Sequence, residues 1–361
     1  MDVSLSETQG LLRDAMRDYL RNEVTFDRIR QLESEGGYDR ELWSYLQSAG
    51  YLALPFPEKL GGDGGELTDL AVLLEELTRR AVVIPFMETM VSALAILHHG
   101  DQAIAEELVR GVIAGNITIS PAILEANDSF DNFSMDASGG TVSGDKYFVD
   151  YGHVVTHHLV AAKANGEAGL YLVDANGSAV TARPLRNTGR TPQSNVTYAG
   201  APARKAGGPE AVAWLVRTAR ALAAVQCLGN AQQALDMAVE YVSMRVQFGR
   251  PIGSFQAVQH HCADMATQVE GARFITYEAV WNIGRGTATD KMVAMAKAQA
   301  SRTATYVPMQ AHQLHGGIGV TEEYDLHFFS RHGKERAISW GTYEECMNYL
   351  AGTLTDVEQW L

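Results

Sequence analysis

The chain has 361 residues, enough for two or three domains or for one large layered fold. A formal net charge of −14 argues against a nucleic-acid partner, because affinity for phosphate requires clustered Lys and Arg side chains. The composition, 46% hydrophobic and 20% charged, is typical of a globular protein without a bias towards disorder.

The three cysteines, Cys227, Cys262 and Cys346, lie far apart and form no CxxC pair. Their spacing predicts inert thiols in a reducing compartment, with neither a disulfide framework nor a cysteine metal site. The first residues carry acidic groups where a signal peptide carries basic ones, and no apolar run reaches the roughly 18 residues of a membrane span. We therefore expect a cytoplasmic protein without a membrane partner.

Residues 1–117 are predicted to form an N-terminal helical domain. Ser6 and Gln9 have the spacing of a capping box and precede apolar residues at helical spacing. A second helix, in "YDRELWSYLQSAG", is predicted to bury its Leu and Trp side chains and to end before Gly50.

Residues 118–206 have a different texture and are predicted to form a middle antiparallel β-domain, a barrel or a sandwich. Short β-branched or aromatic runs alternate with Gly, Asn and Asp at intervals that suit strands. These runs are "ITISPAIL", "GTVSGDKYFVDYG", "HHLVAAKA", "AGLYLVDA" and "SAVTARPL".

Residues 207–361 return to long helical patterns and are predicted to form a C-terminal four-helix bundle. The first stretch, 209–249, predicts two helices or one helix interrupted near Gly229. Segregation of helices from strands along the chain makes the predicted fold class α+β.

Two segments of the C-terminal part have candidate binding chemistry. "MRVQFGRPIGSFQ", residues 244–256, places an Arg where it can clamp a pyrophosphate, or where it merely satisfies the last carbonyls of a helix. "QLHGGIG", residues 313–319, can present backbone N–H groups to an anion, or serve as a plain helix end, and it lacks the dinucleotide fingerprint.

Other polar pairs carry less weight. The adjacent histidine pairs, such as His260 and His261, point in different directions on a helix, so no metal site is predicted. Glu344 and Glu345 are candidate general bases, although acidic residues at a helix start are commonly placed there by the helix dipole.

Taken together, these segments resemble the acyl-CoA dehydrogenase family of flavoproteins over nearly the whole chain. The resemblance is most specific in "RVQFGRPIGSFQ" and in "LHGGIGVTEEYDLHFFSR", which match the two signatures of the family at the usual separation. It implies FAD as cofactor, a tetramer built from dimers, and α,β-dehydrogenation of an acyl-CoA substrate. A carboxylate of the enzyme would take the α-proton, and the β-hydrogen would leave as hydride to the flavin.

The resemblance also implies which residues bind FAD across a subunit interface. In the family, these positions contact the ADP half of the FAD held by a neighbouring subunit. The cofactor-binding positions in this chain are Arg245, Phe248, Gln256, Gln313, Gly316 and Gly317.

The positions of the catalytic base depart from the family pattern. The Glu of the family element Tyr-Glu-Gly-Thr is replaced by Trp340 in "SWGT", and the alternative base position beside Arg220 is Ala219. The resemblance therefore assigns this chain no catalytic base.

The flavin-facing elements of the β-domain depart from the pattern as well. The family's Thr-Glu-Pro-x-x-Gly-Ser-Asp loop corresponds to "SPAILEAND", which lacks the Gly and the Thr, and the aromatic-x-Thr strand becomes Phe148-Val149-Asp150. An ionised Asp accepts hydrogen bonds only and repels a reduced flavin anion.

The departures from the family pattern affect the base positions and the chain's own flavin-facing elements. The residues predicted to contact the FAD of a neighbouring subunit are intact. This pattern resembles the base-lacking subunit of the actinobacterial heterotetrameric (α2β2) acyl-CoA dehydrogenases that act on steroid side-chain thioesters. The alternatives are a homotetramer that uses Glu344 or Glu345 as base, a flavin monooxygenase of the same fold, and a catalytically silent scaffold.

Overall fold

The computed structural model describes residues 5–127 and 129–354. Before the sheet, the described chain forms six α-helices joined by short connections. They are α1 (Glu7–Glu23), α2 (Phe26–Glu35), α3 (Arg40–Ser48), α4 (Leu67–Arg79), α5 (Phe86–His99) and α6 (Gln102–Ile113).

The first helix begins as the sequence predicts. Gln9 N donates to Ser6 Oγ at 3.2 Å, and Ser6 N donates to Gln9 Oε1 at 3.0 Å, which completes the capping box. The predicted helix α3 is also confirmed, with Gly50 in the left-handed region just beyond its end (φ +82°). Its buried side chains are Leu42, Trp43 and Leu46.

Eight strands form one mixed sheet in the middle of the chain, in the order β6-β7-β3-β2-β4-β5-β8 with β1 beside β4. Some of their apolar side chains, among them Val142, Val160 and Tyr198, form one buried cluster. The strands are β1 (Ile119–Ala122), β2 (Asp136–Ser138), β3 (Thr141–Asp150), β4 (His157–Ala164), β5 (Glu167–Asp174), β6 (Val180–Pro184), β7 (Gln193–Pro202) and β8 (Arg204–Gly207).

The purely antiparallel arrangement predicted for this region is wrong in one respect. Strand β1 pairs with β4 in parallel, Ile119 opposite His157, and β2 also runs parallel to β4. Five strands follow the predicted runs, whereas β2, β7 and β8 were not predicted. The barrel or sandwich form stays a prediction.

Five helices follow the sheet in the described chain, with a short hairpin of β9 (Val246–Gln247) and β10 (Arg250–Pro251) after the first. They are α7 (Pro209–Met244), α8 (Gln256–Gly284), α9 (Asp290–His315), α10 (Leu326–Ile338) and α11 (Tyr343–Gly352). The four-helix form of this bundle stays a prediction.

The interruption considered near Gly229 is absent from α7, which is one continuous helix of 36 residues. A Cβ at Gly229 would lie 2.7 Å from the backbone oxygen of Glu75, so the glycine permits close packing rather than a break. Among the described helices, α7 alone is long and apolar enough to cross a membrane, and 78% of that stretch is buried inside the protein. Burial of this extent is typical of a core helix.

The chain divides into two compact units, apart from the residues outside the description. The first contains residues 1–26, 67–82 and 220–361, and the second contains residues 27–66 and 83–219. The second unit holds the whole eight-stranded sheet. The division into three domains at residues 117 and 206 stays a prediction.

Candidate functional site

The chain leaves α7 through a tight hairpin turn that exposes an aromatic side chain. Phe248 and Gly249 occupy the turn with φ +55° and +79°, and two successive positive φ values are typical of a type I′ turn. Phe248 is 91% exposed, and its ring meets that of Phe255 edge to face at 6.0 Å. The turn therefore presents a large apolar side chain to the outside of this unit.

Arg245 lies at the start of this hairpin. Its backbone N donates to Tyr241 O at 2.8 Å, and its backbone O accepts from Ile252 N at 2.8 Å. The side chain is exposed, and within residues 5–127 and 129–354 no side chain pairs with its guanidinium. Gln256, the first residue of α8, is exposed as well. The hairpin thus fixes the backbone of Arg245 and leaves its charge available.

The second predicted segment lies at the end of α9, where the chain turns through a 3₁₀ helix, Gly316–Val320. Gly316 has φ +64°, a value that favours glycine. A Cβ at Gly316 or Gly317 would meet no described atom within 4 Å, so the backbone of both residues is open on that side. Gln313, one turn earlier, is also exposed.

An aromatic stack brings these two segments together. The rings of Tyr241 and His315 stack at 4.4 Å between centroids with an interplanar angle of 25°. Tyr241 lies one helical turn before Arg245, and His315 directly precedes Gly316. Both segments therefore belong to one end of the helical bundle, which we call the hairpin end (residues 245–256 and 313–320).

The predicted base position lies in a different environment, a turn between α10 and α11. We call residues 338–342 the 340 turn. Trp340 is 9% exposed and has φ +59°, and Gly341 has φ +114°. Arg220 Nε donates to Trp340 O at 2.8 Å, and a Cβ at Gly341 would lie 3.2 Å from that nitrogen. Two adjacent left-handed residues therefore pack directly against a guanidinium.

A buried lysine supports the same turn from α9. Lys297 is fully buried, and its Nζ donates to Ser301 Oγ at 2.8 Å and to the carbonyls of Ala337 at 2.9 Å and Arg336 at 3.1 Å. These carbonyls end α10, where a cation is favourable. Burial lowers the pKa of Lys297 below its usual value. Hydrogen bonds to the three acceptors stabilise the charged ammonium and offset the cost of its burial.

No carboxylate replaces the missing base at the two predicted positions. Ala219 is fully buried in α7, and Trp340 is an indole. Glu345 instead caps α11, since Thr342 N donates to its Oε2 at 2.5 Å and Glu345 N donates to Thr342 Oγ1 at 3.1 Å. Glu344 is exposed in the first turn of the same helix. The helix-start interpretation of the two acids is therefore correct for Glu345.

In the unit that holds the sheet, the predicted flavin-facing strand is irregular. The pairing of β3 with β7 shifts register between Lys146 and Val149, and Phe148 lies in this bulge with φ +54° and 56% exposure. Gln193 Nε2 donates to Asp150 Oδ1 at 2.9 Å. The carboxylate that stands where the family has a hydroxyl is thus engaged within the sheet.

The preceding loop is closed by a buried ion pair. Lys146 Nζ donates to Glu125 Oε1 at 2.8 Å and to Ile123 O at 2.9 Å. Glu125 also accepts from the backbone N and the hydroxyl of Ser134 and from Met135 N. Burial lowers the pKa of Lys146 to about 8, although Glu125 opposes the shift. Residues 123–135 are therefore tied together by one carboxylate; Asp128, part of the predicted loop, lies outside the described residues.

Comparison with known proteins identifies the family. The profile described as "Acyl-CoA dehydrogenase, N-terminal domain" matches residues 6–116, and that described as "Acyl-CoA dehydrogenase, C-terminal domain" matches residues 206–354. The acyl-CoA dehydrogenase IpdE2 of Mycolicibacterium smegmatis is 32% identical over 338 residues, covering 92% of this chain and 95% of its own. The chain belongs to the acyl-CoA dehydrogenase family.

Solved structures agree with this assignment. The Tcur3481–Tcur3483 steroid acyl-CoA dehydrogenase matches with a TM-score of 0.91 and 33% identity, covering 99% of this chain and 100% of that one. The ChsE4–ChsE5 complex of Mycobacterium tuberculosis matches with a TM-score of 0.92 and 27% identity, over 99% of both chains. The chain is therefore an oxidoreductase of the acyl-CoA dehydrogenase fold, with a helical N-terminal part, a middle β part and a helical C-terminal part in sequence order.

Members of this family bind FAD, and the hairpin end fits the ADP half of that cofactor. An exposed guanidinium suits the pyrophosphate, and open glycine backbone at Gly316 and Gly317 allows close approach of a ligand. The amides of Gln313 and Gln256 add donors on the same end.

Residue patterns alone did not reveal three features of these sites. Lys297, the Tyr241–His315 stack and the Glu125–Lys146 pair all depend on contacts between distant parts of the chain. Only Lys297 leaves a trace in the sequence, a single charge inside the alanine-rich run "AMAKAQAS". An isolated Lys on an apolar helix face indicates a buried partner.

Proposed function

We propose that this chain is one subunit of an FAD-dependent acyl-CoA dehydrogenase, whose homologous partner subunit supplies the catalytic base. One observation carries the proposal: the hairpin end keeps an exposed Arg245 that no described side chain pairs with, whereas position 340 holds a buried tryptophan. A chain that bound and oxidised substrate alone would need a carboxylate near the 340 turn. Glu345, which follows the 340 turn, instead caps α11.

The proposed division of labour follows from the side chains. Arg245 would bind the pyrophosphate of the FAD held by the partner, and Gly316 and Gly317 would approach the same half with their backbone. FAD, when bound, supplies the hydride acceptor. Trp340 can neither accept the α-proton nor leave room for the glutamate it replaces, so the proton would be taken by the partner.

The relatives support a partner of the same fold. The ChsE4–ChsE5 structure is a complex, and the Tcur3481–Tcur3483 protein is described as a steroid acyl-CoA dehydrogenase. By analogy, we propose an α2β2 heterotetramer located in the cytoplasm, acting on the CoA thioester of a steroid side chain.

The test is to purify the chain alone and together with a homologous acyl-CoA dehydrogenase subunit of the same organism that has the catalytic glutamate. We expect the lone chain to carry little FAD and the complex to carry FAD and to oxidise a steroid side-chain CoA thioester. Bound FAD and acyl-CoA oxidation by the lone chain would instead identify a homotetramer. Oxygen consumption with a hydroxylated product would identify a monooxygenase, and a flavin-free, inactive complex would identify a scaffold.

A further inference from the structure

The strongest unassigned feature of the hairpin end is the stack that lies beneath it. His315 is 4% exposed and lies between two tyrosines, with its ring centroid 4.4 Å from that of Tyr241 and 4.9 Å from that of Tyr324. Stacks of this kind contribute beyond the area that they bury. A histidine is a costly choice for a buried position unless both of its nitrogens are satisfied.

Both nitrogens of His315 are satisfied, and their partners define the tautomer. Nδ1 lies 2.7 Å from Ala311 O, and a carbonyl only accepts, so Nδ1 carries the proton. Nε2 lies 2.9 Å from the hydroxyl of Tyr324 and accepts from it. Burial lowers the pKa of His315 and so favours the neutral ring, against a weaker opposing effect of the Ala311 carbonyl. The ring orientation is therefore fixed by two hydrogen bonds and a stack.

The ring is linked to each segment of the hairpin end through neighbouring residues: it stacks on Tyr241, one helical turn before Arg245, and His315 directly precedes Gly316. On one side, Tyr241 O accepts from Arg245 N at 2.8 Å. On the other, the 3₁₀ turn folds closely over His315, since a Cβ at Gly319 would lie 2.7 Å from His315 Cβ. A displacement of the imidazole would therefore move the guanidinium-bearing segment and the glycine turn relative to each other.

We infer that His315 is a positioning residue for FAD, because it holds the segment of Arg245 and the turn of Gly316 and Gly317 in one relative placement. The inference rests on the proposed function, in which these two segments bind the ADP half of a partner's FAD. His315 itself does not reach the outside of the unit, so its effect on FAD passes through its neighbours.

A double-mutant cycle on the complex with its partner subunit separates positioning from independent effects. The dissociation constant of FAD is measured by reconstituting the flavin-free complex and following flavin fluorescence. Arg245→Ala is expected to weaken binding by about thirtyfold, and His315→Leu by about tenfold. Because His315 is inferred to act through Arg245, the two effects should not multiply. The double variant is expected to weaken FAD binding by about fiftyfold, well below the product of the two single effects.

A second readout distinguishes positioning from general damage. His315→Leu should weaken the binding of ADP to the flavin-free complex by about the same factor as the binding of FAD. The absorption spectrum and the reduction potential of the FAD that still binds should stay unchanged, since the stack is proposed to serve the ADP half alone.

A milder variant and its control test the same role without replacing the buried ring of His315. Tyr324→Phe keeps the ring and removes the hydrogen bond to His315 Nε2, and it is expected to weaken FAD binding about fivefold. The matched control is Tyr349→Phe, which removes the same hydroxyl from an exposed position in α11. The control is expected to bind FAD like the unmodified complex.

The outcomes separate the inference from the proposal beneath it. If Arg245→Ala leaves FAD binding unchanged, the proposed function of the hairpin end is wrong. If Arg245→Ala weakens binding while Tyr324→Phe and His315→Leu do not, the proposed function stands and the positioning role is wrong. Effects of Arg245→Ala and His315→Leu that simply multiply in the double variant also overturn the positioning role.

Discussion

Around Arg245 the side chains that suit the cofactor are exposed, whereas Trp340 is buried and the cations beside it, Arg220 and Lys297, donate to backbone carbonyls. At the hairpin end, polar and aromatic groups point outward from a backbone fixed by hydrogen bonds and by a stack. Beside the 340 turn, Arg220 donates to the backbone carbonyl of Trp340, and Lys297 donates to those of Arg336 and Ala337. Exposed polar groups can bind a ligand that is shared with another molecule, whereas buried, hydrogen-bonded groups stabilise the fold from inside.

The 340 turn is held in its backbone conformation by side chains from other helices. Trp340 adopts φ +59°, which costs a non-glycine residue on the order of 1 kcal/mol and persists only where its surroundings hold it. The guanidinium of Arg220 and the ammonium of Lys297 provide that hold from α7 and α9. The frame of the turn therefore depends on residues other than the one at position 340.

The largest expected effect tests this frame. Lys297→Met removes the donor to three buried acceptors, and we expect a loss of about 3 kcal/mol in the free energy of unfolding. The urea midpoint should fall by about 1 M. The control is Lys291→Met, an exposed lysine in the first turn of the same helix. Equal stability of the two variants would mean that Lys297 does not support the turn.

A crossed pair of glycine variants tests whether the two regions serve different purposes. Gly341→Ala introduces a Cβ at φ +114°, 3.2 Å from Arg220 Nε, and should cost about 2 kcal/mol of stability. Gly317→Ala meets no described atom within 4 Å and should leave stability unchanged. In the complex with its partner, we expect Gly317→Ala to lower the affinity for FAD more than Gly341→Ala does.

The measurements for this pair are thermal unfolding and FAD binding to the flavin-free complex. A Cβ at Gly317 would stand where the backbone is proposed to meet the cofactor, so affinity should fall about tenfold. If Gly317→Ala binds FAD normally, or if Gly341→Ala abolishes FAD binding without lowering stability, the contrast between the regions does not hold.

Local signals in the sequence predicted much of the fold. The capping box of Ser6 and Gln9 marked the start of α1, and the apolar face of α3 was identified correctly. Strand β7 was missed because "QSNVTYAGAP" mixes polar residues and glycine with its apolar positions. The parallel pairing of β1 with β4 was missed because it joins segments far apart in sequence. Gly229 favoured a break in α7, whereas its role is close packing.

The candidate sites divide in the same way. Residues proposed to bind the cofactor, such as Arg245 and Gly316, stand in contiguous motifs, so the resemblance to the family could predict them. Residues that act by supporting others, such as Lys297 and His315, are defined by partners 40 and 74 positions away. No local pattern contains that information, because the partners meet only when the helices pack.

The smallest expected effect concerns the acids that first suggest a base. Glu345→Ala removes one half of the capping box of α11 and should lower stability by about 1 kcal/mol. Turnover of the acyl-CoA thioester by the complex should stay within about twofold of normal, since a capping carboxylate takes no part in proton removal. Glu344→Ala, its exposed neighbour, is the control and should change neither quantity. A loss of turnover of a hundredfold or more in Glu345→Ala, about the least that removal of a general base causes, would make this chain catalytically self-sufficient and would remove the contrast on which the heteromeric proposal depends.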